Sequence, residues 1–88
     1  MKCLTIKVFG KVQGVGFRFY TQKTARELGV NGYVKNERDG SVYIEAQASE
    51  HIMETFLQWV SKGPEWARVD TLNIQEIPNQ QFDDFSIK

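Results

Sequence analysis

Hydrophobic and polar residues alternate from Cys3 to Phe9, with Leu4, Ile6 and Val8 on one side and Thr5 and Lys7 on the other. A period of two belongs to a half-buried strand, and Gly10 ends it. The stretch Gly10 to Gly16 holds three glycines. Beyond it the period lengthens: Phe17, Tyr20, Thr24 and Leu28 recur at three- and four-residue spacing, which predicts a helix. Gly29 stands where a left-handed cap is needed, and Val30 is placed to fold back onto the last turn. Gly32 to Asn36 then reads as a short strand with Tyr33 and Val34, Asp39-Gly40 supplies turn chemistry, and Ser41 to Gln47 alternates again with Val42, Ile44 and Ala46 inward.

Ser49 is a helix cap with Glu50 well placed in the first turn, and Ile52, Phe56 and Val60 repeat at helical spacing beside Met53 and Trp59 until Gly63-Pro64. Val69 to Ile77 is strand-like but polar-interleaved, as edge strands are, and would be the edge for self-pairing if the fold loosened. Phe82 to Ile87 offers a last short strand after the Pro78 to Gln81 loop. There is no internal repeat, low-complexity tract or linker. The order predicts an α+β fold: a ferredoxin-like β-α-β-β-α-β sandwich, an antiparallel sheet with two helices on one face and a short extra C-terminal strand, forming one domain over residues 1–88. In that topology the first two strands run parallel with one strand between them, about 10 Å apart. The loop after the first strand and the end of the second open at the same sheet edge, so Arg18 and Asn36 can share a site.

Composition narrows what such a site does. The 88 residues are 41% hydrophobic and 25% charged, as in ordinary globular chains. Size scaling gives roughly 5,300 Å² of folded surface. Eleven basic residues balance eleven acidic ones, so no basic field draws the whole molecule to nucleic acid, and any anion site is local. One cysteine, Cys3, supplies neither an intrachain disulfide nor paired thiolate ligands, and is expected in the core. The N-terminal residues do not resemble a signal peptide and no apolar run is long enough to span a membrane, so the expected location is the cytoplasm.

The segment Gly10-Lys11-Val12-Gln13-Gly14-Val15-Gly16-Phe17-Arg18 lies between strand and helix, where glycine-permitted amides can converge and a helix N-terminus adds positive potential. By spacing alone it is either a phosphate cradle or a turn. It is not a Walker A loop, because Val15 stands where the second glycine would be, nor a dinucleotide fingerprint, which would need glycine at Phe19. A cysteine-dependent phosphatase would carry its thiolate at Val12. His51 has no histidine or cysteine company and reads as a solvent-facing helix residue. Any catalysis here is expected to be metal-free and non-covalent.

Gly10, Val12, Gln13, Gly14, Val15, Phe17 and Arg18 resemble the Gly-x-Val-Gln-Gly-Val-x-Phe-Arg signature of acylphosphatases. Gly32-Tyr33-Val34-Lys35-Asn36, then Gly40 and Val42, resembles that family's second signature, and Trp59, Gly63-Pro64, Ala67, Val69 and Phe85-Ser86-Ile87 are similar to its C-terminal half. One departure is Ala48, where the longer second pattern ends in glycine. The resemblance implies hydrolysis of a carboxyl–phosphate anhydride to a carboxylate and inorganic phosphate, without metal, cofactor or covalent intermediate. It implies that Arg18 binds the phosphoryl oxygens, that amides of Gln13, Gly14, Val15, Gly16, Phe17 and Arg18 bind the remainder, and that Asn36 holds the attacking water. The expected partner is a small-molecule acyl phosphate, with no nucleic acid or membrane partner, and the expected state is a monomer. The alternative is a non-catalytic module that binds phosphate or acyl phosphate.

Other side chains read as structural. Lys11 and Lys35 are solvated loop and strand lysines, and Trp59 and Trp66 are expected to pack helix two and the loop after it. Tyr43 is an aromatic on the third strand, but the basic-aromatic run of single-stranded RNA readers is missing from Ser41 to Gln47.

Overall fold

The computed structural model describes residues 1–88. The elements in chain order are β1 (Lys2–Lys11), α1 (Phe17–Leu28), β2 (Asn31–Asn36), β3 (Val42–Ala48), α2 (Glu50–Lys62), β4 (Arg68–Ile77) and β5 (Phe85–Ile87). They form the expected ferredoxin-like sandwich, with sheet order β4-β1-β3-β2-β5 and both helices against one face. Its surface of 5310 Å² matches the size expectation. β3 pairs antiparallel with β1 on one side and β2 on the other, so β1 and β2 point the same way across it. Two boundaries and one pairing differ from the pattern, the last strand starting at Phe85 rather than Phe82. β1 passes Gly10 through a register shift after Phe9 and keeps pairing with β4 to Lys11, which shortens the glycine loop. β5 joins β2 in parallel, which makes the sheet mixed. The chain leaves β4 opposite Cys3 and enters β5 opposite Gly32, both at the starting end of β1 and β2, so β5 runs with β2.

Apolar alternation on β1, β2 and β3 meets the apolar stripes of the helices. Ile6, Val8, Val34, Ile44 and Ala46 pack with Phe17 and Ala25 of α1 and with Met53, Phe56 and Val60 of α2. Gly29 takes the left-handed conformation expected of it, and the Val30 amide donates back to the Ala25 carbonyl at 2.8 Å, closing α1 as a Schellman turn. Ser49 caps α2 through its side chain and Glu50 occupies the first turn. β4 is the polar edge foreseen, and His51 is exposed.

Of the expectations about packing, those for Cys3 and Trp59 are met and that for Trp66 is corrected. Cys3 is buried as expected, on the sheet face away from the helices, because its parity on β1 is that of Thr5 and Lys7. The strap Pro78–Asp84 covers that face: the Gln47 side chain donates to the Gln80 carbonyl and accepts from its amide, and the Phe82 ring meets Tyr33 at 6.3 Å. Burial pushes the Cys3 thiol above its ordinary range, with the nearby Glu45 charge adding to the effect. Trp59 packs as expected, its ring 5.9 Å from Phe17, but Trp66 is 73% exposed. A turn from the Pro64 carbonyl to the Ala67 amide tucks Ala67 against the core and leaves Trp66 outside.

The outer sheet face also carries a polar cluster in which the hydroxyls of Tyr33 and Tyr43 both donate to Glu45 Oε2, at 2.9 and 2.7 Å. Burial, then the bond to the Glu45 carboxylate, pushes Tyr33 up to about 12 and moves Tyr43 in the same direction. Tyr43 is thus half-buried and engaged.

The turn between β2 and β3 is fastened by Asp39, whose Oδ1 accepts from both the hydroxyl and the amide of Ser41, while Oδ2 sits 3.1 Å from Lys7 Nζ. The Ser41 hydroxyl bond, then the Ser41 amide and Lys7, lower the Asp39 carboxyl to about 2. Its folded value is depressed, so its contribution to stability is complete above about pH 4, the ordinary carboxylate range, and is lost as the pH falls through the folded value. Urea midpoints of the natural sequence and Asp39→Asn should therefore differ near neutrality and converge toward about pH 2. Phe85, fully buried with its ring 6.1 Å from Phe56, anchors the last strand. Phe85→Ala is expected to cost about 3–5 kcal/mol in chemical denaturation.

Candidate active site

The site begins with a geometric consequence of the sheet order. β1 and β2 end at the same edge of the sheet, and the chain from β1 turns there into α1. Gly14 and Gly16 take φ of 74° and 78°, the left-handed region in which a side chain would be strained, and Gly16 is the N-cap of α1. The loop thereby curls over its own amides. α1 differs from α2 in having neither a side-chain cap nor an acidic residue in its first turn. Its first intrahelical bond runs from the Tyr20 amide to the Gly16 carbonyl, and the amides from Gly14 to Phe19 have no acceptor within the protein. These donors, with the positive end of the helix dipole, make an environment suited to an anion.

A depression of about 240 Å³ opens over this loop, lined by Val12, Gln13, Gly14, Gly16, Phe17, Arg18, Phe19, Asn36 and Ile87. Arg18 and Asn36, separated in the chain, therefore face one space. Arg18 is exposed and forms no ion pair with any carboxylate, so its guanidinium fork is available to an oxyanion. Asn36 shares the facing of Val34 on β2 but lies one step beyond the core at the strand end, and its side chain is free of protein hydrogen bonds. Arg18 is the one charged side chain in the lining.

The other expected residues divide by role. Phe17 is fully buried and holds the loop to the core. Val15 does not line the depression; its side chain packs against the core cluster. The Gln13 side chain is committed elsewhere, because Nε2 donates to the Glu37 carbonyl at 2.8 Å and to the Ser41 carbonyl at 2.9 Å. One amide group thus clamps the glycine loop to the turn that follows Asn36. Lys35 is 4.0 Å from Glu37 and Lys7 pairs with Asp39, so neither lysine enters the depression. Phe19 and Ile87 complete the rim and were not among the residues singled out from the sequence. The signal for Phe19 is an aromatic side chain outside the Phe17, Tyr20, Thr24 stripe; Ile87 joins the site only through the parallel pairing of β5.

Comparisons with known proteins bear on the family and the fold. The sequence model of the acylphosphatase family matches residues 4–87. The acylphosphatase of Thermotoga maritima is 48% identical over 88 residues, which are 100% of this chain and 98% of the relative. The crystal structure of acylphosphatase from Bacillus subtilis superimposes with a TM-score of 0.96 at 35% identity, covering 100% of this chain and 99% of that one. A longer protein, T. kodakarensis HypF, contains a similar fold, with a TM-score of 0.87 at 38% identity over 12% of its length. With both signatures in place and relatives of this name aligned from end to end, the chain belongs to the acylphosphatase family and is a hydrolase of acyl phosphates.

Proposed function

We propose that the hydrolysis takes place in the depression over the glycine loop, with Arg18 and Asn36 as its catalytic pair and the loop as the phosphate-binding element. The observation that carries this reading is that an arginine without a carboxylate partner and an asparagine from a distant strand line one space with amides that have no protein acceptor. The Arg18 guanidinium takes two phosphoryl oxygens, as planar forks do better than ammonium groups, and amides from Gln13 to Arg18 take the rest. Val15 contributes its backbone alone. The Asn36 side chain holds a water on the far side of phosphorus from the acyl oxygen. The water oxygen bonds to phosphorus as the bond to the acyl oxygen breaks; the carboxylate leaves as a stable anion, and the water's proton passes to the phosphate. A loose transition state of this kind needs charge stabilisation and alignment, which fixed donors provide without reorganising. No side chain serves as nucleophile, and no metal or cofactor enters the scheme.

The same reading has the chain act as one domain over residues 1–88, a cytoplasmic monomer whose ligands are a small acyl phosphate and the inorganic phosphate it releases. Its balanced charge gives no general attraction to nucleic acid, and no helix is long and apolar enough to cross a membrane.

The test is continuous hydrolysis of an aryl acyl phosphate in buffer containing a chelator. The natural sequence should turn over at the same rate with and without chelator. Arg18→Ala should lose turnover and, in a direct titration, the binding of inorganic phosphate. Asn36→Ala should keep phosphate competition while kcat falls about 10²-fold or more, the scale of one lost transition-state partner. Retained activity in both variants, or phosphate binding without turnover in the natural sequence, would overturn the reading. Gln13→Ala removes the clamp and should lower unfolding free energy by about 1–3 kcal/mol, as expected for two hydrogen bonds at net value. Because Asn36 and the loop then lose their mutual alignment, kcat should fall by up to about 10²-fold.

A further inference from the structure

The eleven cations and eleven carboxylates of the chain are unevenly placed. Six ion pairs use six of each, which leaves five cations and five carboxylates without an ionic partner. All five unpaired cations lie at the end of the molecule where the depression opens. Arg18 lines it, Lys11 precedes the lining residue Val12, Lys88 follows the lining residue Ile87, and Arg38 stands in the turn just beyond Asn36. Lys62 ends α2 beside Gly63, which packs closely on Phe17. The unpaired carboxylates are distributed the other way. Glu54 and Glu76 border a groove at the far end, next to Lys2 at the start of β1. Asp83 adjoins Asp84, whose carbonyl accepts from the Gly32 amide near the start of β2. Glu45 sits in mid-strand on β3, and Glu65 alone shares the end with the depression.

A molecule of zero net charge thus has a charge axis along its strands, with the positive end at the depression. Not every cation there contributes equally. Lys88 lies over the Tyr33 ring at 4.0 Å, on the outer sheet face, and Lys62 is offset by the negative end of the α2 dipole and by Glu65 close by in sequence. Lys11 and Arg38 have no such offset. Both are exposed, neither lines the depression, and the Gln13 bond to the Glu37 carbonyl ties the end of β1 that carries one to the turn that carries the other. A phosphoryl group arrives with about two negative charges. Charges within a Debye length, about 10 Å at 0.1 M salt, act on it before any contact is made. We propose that Lys11 and Arg38 steer the anionic substrate into the depression, raising the rate of its capture and leaving the chemical step to Arg18, Asn36 and the loop amides. This inference rests on the assignment of the phosphoryl end to Arg18 and the loop.

The experiment measures kcat and KM for benzoyl phosphate from about 10 to about 200 mM sodium chloride. It compares the natural sequence with the double variants Lys11→Gln/Arg38→Gln, Lys11→Glu/Arg38→Glu and, at the far end, Glu54→Gln/Glu76→Gln, with circular dichroism confirming each fold. In the natural sequence kcat/KM should fall about 5-fold over that range at nearly constant kcat. Lys11→Gln/Arg38→Gln should lower kcat/KM about 3-fold at low salt, keep kcat, and match the natural sequence at high salt. The charge reversal should lower it further at low salt and abolish the fall with salt, whereas Glu54→Gln/Glu76→Gln should leave both the rate and its salt slope in place. A salt slope in Lys11→Gln/Arg38→Gln equal to the natural one, or a loss that falls on kcat and persists at high salt, would overturn the steering role while leaving the hydrolytic site intact. No turnover by the natural sequence at any salt, or full turnover by Arg18→Ala, would instead overturn the site assignment on which the steering role rests.

Discussion

β3 lies between β1 and β2, and the geometry of the site follows from that placement. Because each neighbour pairs antiparallel with β3, the two outer strands run the same way and finish at one edge. The glycine loop leaves one of them and Asn36 ends the other. Strand spacing alone would set them about 10 Å apart. The Gln13 amide refines that placement by bonding two carbonyls of the β2–β3 turn, and Asp39 stiffens the turn through Ser41. Sheet topology supplies the approximate approach, and a side-chain clamp fixes it.

What surrounds the loop is as informative as what forms it. α2 satisfies its N-terminus with Ser49 and Glu50, whereas α1 begins at a left-handed glycine and leaves its first amides without partners. Unpaired donors at a helix start are stable in water but gain most from an anion. Arg18, unpaired as well, adds a full charge beside them. The fold thus concentrates positive potential at one point of a molecule whose formal net charge is zero.

The sandwich was legible because its signals are local and repeated: period-two runs at Leu4 to Val8 and Val42 to Ala46, helical stripes through Phe17 and Phe56, and punctuation at Gly29, Ser49 and Gly63. Arg18 and Asn36 were legible as a pair through two signatures joined by a topological argument. The side-chain role of Gln13 was not, since an amide's partners depend on what the fold brings near, and here those are carbonyls on another turn. Trp66 was misplaced, and the face that Cys3 occupies was not foreseen. The parity of Cys3 puts it on the face away from the helices, and only the strap shows that this face is covered there. The exposure of Trp66 depends on how one short turn directs Ala67 inward. Ile87 entered the site through a pairing between distant segments, which no local pattern announces.

That distant pairing has a consequence for local stability. β5 is joined to the sheet through β2 alone, by three residue pairs at the edge. It is also three residues long at a chain end, with a buried Phe85 at its root and an exposed Ile87 toward its tip. Such a segment opens locally at lower free energy than the sheet centre. The wall of the depression formed by β5 is therefore the part of the site expected to open first, while the loop stays clamped to the turn after Asn36.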